Sequence, residues 1–293
     1  MKMNNDGWLT TSANIRMPRI LYGTAWKKER TAELVAQALE AGFRGFDTAC
    51  QPKHYDERLV GVGLQQAKAL GLSRDALYLQ TKFTPLTSQD PNNLPYDATA
   101  PVAAQVAQSF EVSLGNLQTD YVDCLILHSP MVPHKSTQQA WQAMEAIHAA
   151  GGARQLGISN CYDFEVLQRL YADAAVKPAV LQNRFYPDNG FDAEQRQWCV
   201  EQGMVFESFW SLTANAKLLA SPVVQDIAQA QGKTPAQVFF RYLTQLGLAP
   251  LTGTASAQHM REDLDIFGFS LGAEPMQQMD GLLAQAVQAH SVE

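Results

Sequence analysis

Short apolar runs alternate along the chain with stretches whose apolar residues recur at helical spacing. The pattern predicts strands over Arg19–Gly23, Phe43–Asp47, Tyr78–Phe83, Tyr121–His128, Arg154–Ser159, Ala179–Arg184, Met204–Phe209 and Leu248–Gly253. Between them it predicts helices over Glu33–Ala41, Asp56–Leu70, Val102–Leu117, Thr137–Ala149, Phe164–Asp173 and Ala193–Gln202. A two-part helical stretch follows, with Pro222 and Pro235 near the starts of its pieces, where a fixed φ suits a first turn. Helices over Met260–Asp265 and Pro275–Gln288 complete the series. The run Tyr121–His128 is nearly continuously apolar, as a parallel strand covered on both faces must be.

Eight strand–helix units without a Gly/Ser linker or a shift in composition favour closure of a parallel sheet. The expected fold is α/β, a (β/α)8 TIM barrel forming a single domain over 1–293 with an additional C-terminal helix. A doubly wound open sheet is the alternative, but no Gly-x-Gly-x-x-Gly fingerprint follows the first strand.

Composition narrows the function classes. Dividing 293 residues by a typical domain length suggests about two domains, yet a barrel of about 250 residues also fits as one. The hydrophobic fraction of 46% excludes intrinsic disorder. A net charge of −7, with basic residues scattered, disfavours nucleic acid as a partner. The segment Met1–Trp8 lacks an apolar core and does not read as a signal peptide, and no apolar run approaches a membrane span. Cys50, Cys124, Cys161 and Cys199 lie far apart without a CxxC pair, which suits a reducing, cytoplasmic setting. The oligomeric state is not legible.

In a parallel barrel, chemistry gathers at the carboxyl ends of the strands. Asp47, Lys82, His128, Ser159-Asn160 and Gln182 stand there in otherwise apolar strands. Each has an ordinary explanation alone: Asp47 as a helix cap, His128 as a core histidine, Lys82 reaching the surface. Together they imply a polar site, since lysine and aspartate are rarely buried unpaired. A metal is not expected: there is no His-x-His or His-Glu-x-x-His, and Lys82 would repel a cation. No Gly-x-Ser-x-Gly elbow supports a serine hydrolase.

Five segments in order, Leu21-Tyr-Gly-Thr-Ala-Trp26, Gly42-Phe-Arg-Gly-Phe-Asp-Thr-Ala49, Leu79-Gln-Thr-Lys-Phe83, Tyr121-Val-Asp-Cys-Leu-Ile-Leu-His-Ser-Pro130 and Leu156-Gly-Ile-Ser-Asn160, resemble the aldo-keto reductase superfamily. The resemblance implies an oxidoreductase that passes a hydride from a nicotinamide cofactor to an aldehyde or ketone. Its catalytic tetrad would be Asp47, Tyr55, Lys82 and His128. The family's tyrosine spacing lands on Pro52 or His54 here, because Cys50-Gln-Pro-Lys-His-Tyr-Asp-Glu57 holds two extra residues. Tyr55 is the only phenol of that segment, and His54 is its rival as proton donor. A lysine about 4 Å from a phenol favours the phenolate by at most about 4 kcal/mol at an effective dielectric of 20, or about three pKa units. Lys82 is therefore expected to bring the Tyr55 phenol toward neutral pH, with Asp47 tempering the effect. His128 would orient the substrate oxygen.

For the cofactor, the resemblance assigns Ser159, Asn160 and Gln182 to the nicotinamide carboxamide and Phe209 to the ring face. Phe209-Trp210-Ser211-Leu212 replaces the commoner Tyr-Ser-Pro-Leu. Gly23, Thr24 and Asp47 join the set from the first two strands. Gly253, Thr254, His259, Glu262 and Asp263 would hold the adenosine end, with Asp263 adding negative charge where an asparagine is usual. NADPH is the first expectation and NADH the second. Trp26, His128 and Tyr186 would contact a small-molecule carbonyl substrate. A cofactor-binding sensor or scaffold of the same fold, with weak or no turnover, is the alternative of another class.

Overall fold

A computed structural model describes residues 7–290. All of Met1–Asp6 in the segment read for a signal peptide lies outside the described residues. A short antiparallel hairpin comes first, β1 (Trp8–Thr10) and β2 (Arg16–Pro18), with Leu9 opposite Met17. Eight parallel strands follow: β3 (Leu21–Gly23), β4 (Gly45–Asp47), β5 (Tyr78–Phe83), β6 (Val122–Leu127), β7 (Ala153–Ser159), β8 (Val180–Arg184), β9 (Val205–Phe209) and β10 (Ala249–Thr252). They close in the order β10-β3-β4-β5-β6-β7-β8-β9, so the sheet is a barrel and has no free edge. The open-sheet alternative is excluded by the β10–β3 pairing, Leu251 opposite Leu21.

The helices wrap this barrel: α1 (Thr31–Ala41), α2 (Glu57–Leu64), α3 (Gln66–Ala69), α4 (Val102–Leu117), α5 (His134–Ala149), α6 (Phe164–Asp173) and α7 (Ala193–Gln202). Then come α8 (Ala216–Leu219), α9 (Pro222–Gln231), α10 (Pro235–Gln245), α11 (Ala257–Leu264) and α12 (Ala273–His290). The expected helix over 56–70 is interrupted at Gln65. Its Asp56 is the cap instead, accepting the Leu59 N–H at 2.9 Å. Helix α11 begins earlier than the apolar pattern suggested because Ser256 caps it through the His259 N–H.

Two cores result from the period-two alternation of the strands. Outward residues such as Leu125, Leu156 and Phe206 pack with Leu34, Trp141 and Phe239 of the helices. Inward residues Leu21, Tyr78, Cys124, Val180, Val205 and Ala249 form the barrel interior, and Leu9 and Met17 of the hairpin pack onto them. The hairpin therefore closes the amino-terminal end, leaving the carboxyl end as the mouth. Three-residue strands that each bury so little carry no periodic signal, which is why the hairpin is not read from sequence.

Among the described residues no helix is long and apolar enough to cross a membrane, and no cluster of His, Cys, Asp and Glu could hold a metal.

Candidate active site

Alternation on β5 points Tyr78, Gln80 and Lys82 inward, and on β9 it points Val205, Glu207 and Phe209 inward. Lys82 is buried, and its Nζ donates to Asp47 Oδ1 at 2.5 Å and to the Thr48 carbonyl at 2.9 Å. Asp47 Oδ1 also accepts from Gln80 Nε2 at 2.7 Å and Gln182 Nε2 at 3.0 Å. Both amides donate in turn to Glu207 Oε2, at 2.7 and 2.6 Å. Two buried carboxyl groups from β4 and β9 are thus tied together by two glutamines. Glu207 Oε1 has no partner. Burial, then the charge of Asp47, pushes the Glu207 carboxyl up to about 7. Burial pulls the Lys82 ammonium down, but the charges of Asp47 and Tyr55 and the bond to Asp47 outweigh it and hold Lys82 above its ordinary range.

This polar layer continues downward. Tyr78 Oη donates to Gln80 Oε1 at 3.3 Å, Gln155 Nε2 donates to Tyr78 Oη at 2.9 Å, and Thr11 Oγ1 donates to Gln155 Oε1 at 2.6 Å. A hydrogen-bonded column therefore runs from the end of β1 to Asp47.

At the mouth, the Tyr55 ring lies over Lys82, with Nζ 5.3 Å from its centroid, and meets the His128 ring edge-on at 6.2 Å. Burial raises the Tyr55 phenol, and the charge and hydrogen bond of Lys82 offset this only in part, with Asp47 adding to the rise. The net direction is upward, opposite to the expectation from an isolated lysine. The reason is physical: Asp47 cancels much of the ammonium field, and a phenolate here would be stripped of water. His128 is pushed well below its ordinary range by burial and then by Lys82 and His54, so it is neutral near pH 7. Its Nδ1 shares a 2.6 Å hydrogen bond with Thr84 Oγ1.

His54 is placed differently. Its ring packs on Trp26 with centroids 4.1 Å apart, and its Nδ1 bonds Gln51 Oε1 at 2.8 Å. Trp26, half exposed, holds φ at 63° while its N–H donates to the His54 carbonyl at 2.7 Å. Asn160 and Trp210 are likewise left-handed, at φ 51° and 58°. Three non-glycine residues in this strained region, each costing on the order of 1–3 kcal/mol, gather on loops at the mouth.

Ser159 Oγ donates to the Gln182 carbonyl at 2.7 Å. Asn160 Nδ2 donates to the His128 carbonyl at 2.9 Å, and Asn160 Oδ1 accepts from Tyr162 Oη at 3.2 Å. Both hydrogens of Gln182 Nε2 are committed to the carboxyl groups. Phe209 ends β9 on the inward face. Trp210 is half exposed, Ser211 Oγ bonds Ser208 Oγ at 3.0 Å, and Leu212 packs into the outer core. Tyr186 meets Tyr162 edge-on at 6.5 Å.

A second cluster lies between the ends of β3 and β10. Thr24 Oγ1 donates to the Asp47 carbonyl at 2.8 Å. Lys27 Nζ hydrogen-bonds the Gly253 carbonyl across the gap. A Cβ on Gly253 would lie 3.4 Å from that Nζ, in ordinary contact with the flexible end of the lysine. The Thr254 carbonyl accepts from Tyr22 Oη at 2.8 Å, and Thr254 Oγ1 lies 3.5 Å from His259 Nδ1. Glu262 accepts from Gln258 on the exposed side of α11. Asp263 is buried, accepts from Thr252 Oγ1 at 2.7 Å, and is pushed up to about 6 by burial. Its carboxyl group is turned toward β10.

Asp47, Tyr55, Lys82, His128 and Gln182 therefore converge, while Leu212 and Glu262 stand apart. Gln80, Glu207 and Lys27 belong to the two clusters and were not singled out from sequence. The signal for the first two was available, since period two puts Gln80 with Lys82 and Glu207 with Phe209.

A barrel with this arrangement at its mouth matches known oxidoreductases. The model of the Aldo/keto reductase family matches residues 19–284, and the chain belongs to that family. It is 32% identical to glyoxal reductase of Bacillus subtilis, over 85% of this chain and 82% of that protein. It is 30% identical to NADPH-dependent codeinone reductase 1-4 of Papaver somniferum, over 95% of this chain and 90% of that protein. An aldo/keto reductase structure from Brucella melitensis superposes with a TM-score of 0.80 at 25% identity, covering 94% of this chain and 98% of that one.

Proposed function

We propose that the chain reduces aldehyde or ketone carbonyls to alcohols, with Tyr55 as proton donor and Lys82, Asp47 and His128 in support. The observation that carries this reading is the Tyr55 ring over the tethered Lys82 ammonium, beside a neutral His128. His54, stacked on Trp26, has no such contact with Lys82, which favours Tyr55 as the acid. When bound, a reduced nicotinamide dinucleotide supplies the hydride to the carbonyl carbon. The raised phenol keeps Tyr55 protonated at neutral pH, and its proton goes to the developing alkoxide. Lys82 then stabilises the phenolate that remains, and Asp47 holds Lys82 in place. In the tautomer that takes the Thr84 hydrogen on Nδ1, His128 carries its own hydrogen on Nε2 and orients the carbonyl oxygen through it.

The residues present fit such a cofactor. Gln182, Ser159 and Asn160 would meet the carboxamide, and Phe209 would stack on the ring. Gly23, Gly253, Thr254 and Lys27 lie together at the ends of β3 and β10, where the Lys27 ammonium would favour phosphate. The Papaver relative is named as NADPH-dependent, and we carry NADPH to this chain first and NADH second. The expected substrate is a small carbonyl compound, in the cytoplasm.

Titration with NADPH and NADH should quench or blue-shift cofactor fluorescence at micromolar protein. Tyr55→Phe should abolish reduction while the cofactor still binds. Full activity in that variant, with loss in His54→Ala, would refute the assignment and move the acid to His54.

A further inference from the structure

Arg184 is the last residue of β8, opposite Phe209 in the β8–β9 register. Gln182, two residues earlier, points into the barrel, and Asn183 points outward to the Cys161 backbone. Arg184 therefore faces inward, one layer or roughly 7 Å nearer the mouth than Gln182. Its guanidinium lies against three aromatic rings, 4.0 Å from the Trp210 centroid, 5.0 Å from Tyr186 and 5.9 Å from Phe209. These rings position the fork and strip water from it, yet give it no anion. Arg184 Nε is buried without a hydrogen-bond partner, and among the described residues the side chain enters no salt bridge. The contrast with Lys82 is direct: both cations face the mouth, and only Lys82 has its carboxylate.

A preoriented, partly desolvated guanidinium without a counter-ion is a receptor for an oxyanion, which it can bind through paired N–H donors. We propose that Arg184 binds the carboxylate of an anionic carbonyl substrate, a compound whose acid group is several atoms from the carbonyl that is reduced. This rests on the reductase reading for the carbonyl end, while the Arg184 site stands on its own geometry. The oxyanion chemistry is shared by the cofactor's phosphates, so the test separates the two.

The probes are 4-carboxybenzaldehyde and its methyl ester, which differ in charge at one end. In the natural chain the acid should have a kcat/KM at least tenfold above the ester, through KM. Arg184→Gln should cut that ratio at least tenfold, Arg184→Lys should restore part of it, and Arg184→Glu should invert it. A ratio that is the same in all four proteins overturns the proposal. A weaker NADPH Kd in Arg184→Gln with the ratio unmoved overturns it too, and gives the site to the cofactor phosphates. Calorimetric binding of 4-(hydroxymethyl)benzoate gives a readout independent of turnover, with at least a tenfold loss of affinity expected in Arg184→Gln. If neither aldehyde is reduced, the reductase reading fails, and the calorimetric comparison alone decides whether Arg184 holds a carboxylate. Equal affinities there overturn the proposal.

Discussion

Glu207→Gln probes the energetic cost of the paired carboxyl groups. In the fold, Glu207 is raised from 4.5 to about 7, chiefly by burial and then by Asp47. That displacement corresponds to about 3 kcal/mol by which the folded state disfavours the ionised form. Because the folded pKa lies above the unfolded one, the folded protein holds more protons between about 4.5 and 7. Stability therefore falls as pH rises through that window and is lowest above it. A glutamine at 207 can keep its oxygen on the Gln80 and Gln182 amides, and its own NH2 falls where Glu207 Oε1 has no partner. The protonated acid has a similarly unmet hydrogen, so the two proteins should be close in stability near pH 5. By pH 8 the variant should be the more stable by about 3 kcal/mol, on the order of 6–10 °C in Tm. Asp192 and Asp263, raised to about 7 and about 6, give both proteins slopes of the same sign, so the difference curve isolates Glu207. Urea unfolding at half-unit pH intervals measures it. Parallel curves, or a variant that loses ground as pH rises, would show that Glu207 is not a strained carboxyl group.

Two further outcomes follow from packing and from the adenosine end. A Cβ on Gly61 would lie 1.9 Å from the Asn116 carbonyl oxygen, so Gly61→Ala must push α2 from α4 and cost about 1–3 kcal/mol; an unchanged melting temperature would contradict this. Asp263→Asn should leave the NADPH Kd within about threefold, under 1 kcal/mol, because the carboxyl group faces Thr252; a gain of tenfold or more would mean that its charge does reach the adenosine end.

The fold was legible wherever burial imposes a period. Strand β6 runs without a polar break except Asp123, whose Oδ2 is bonded by the Leu79 N–H and Arg74, so the strand stood out as apolar. The prolines of α9 and α10 marked their starts because first-turn geometry suits them. The hairpin and the first three residues of α11 escaped because their signals are single contacts: Leu9 and Met17 in the barrel, Ser256 as a cap. In the site, Asp47, Lys82 and His128 were visible as polar ends of apolar strands. Period two placed Gln80 and Glu207 on the inward face with Lys82 and Phe209, but their pairing is a contact across the barrel that no local spacing records. Arg184 was hidden because its setting is made by Tyr186 and Trp210 on the loops that follow β8 and β9.

The column from Thr11 to Asp47 also has a direction. Each amide and hydroxyl in it gives its hydrogen toward the mouth, Thr11 to Gln155, Gln155 to Tyr78, Tyr78 to Gln80, and Gln80 to the two carboxyl groups. A donor substituted at 47 or 207 would have to reverse the orientation of Gln80, then of Tyr78, then of Gln155. The turn at the closed end and the acids at the open end are thereby members of one oriented hydrogen-bond chain. Side chains that accept hydrogen bonds at 47 and 207 fit the column as it stands, and Thr11 is where the hairpin joins it.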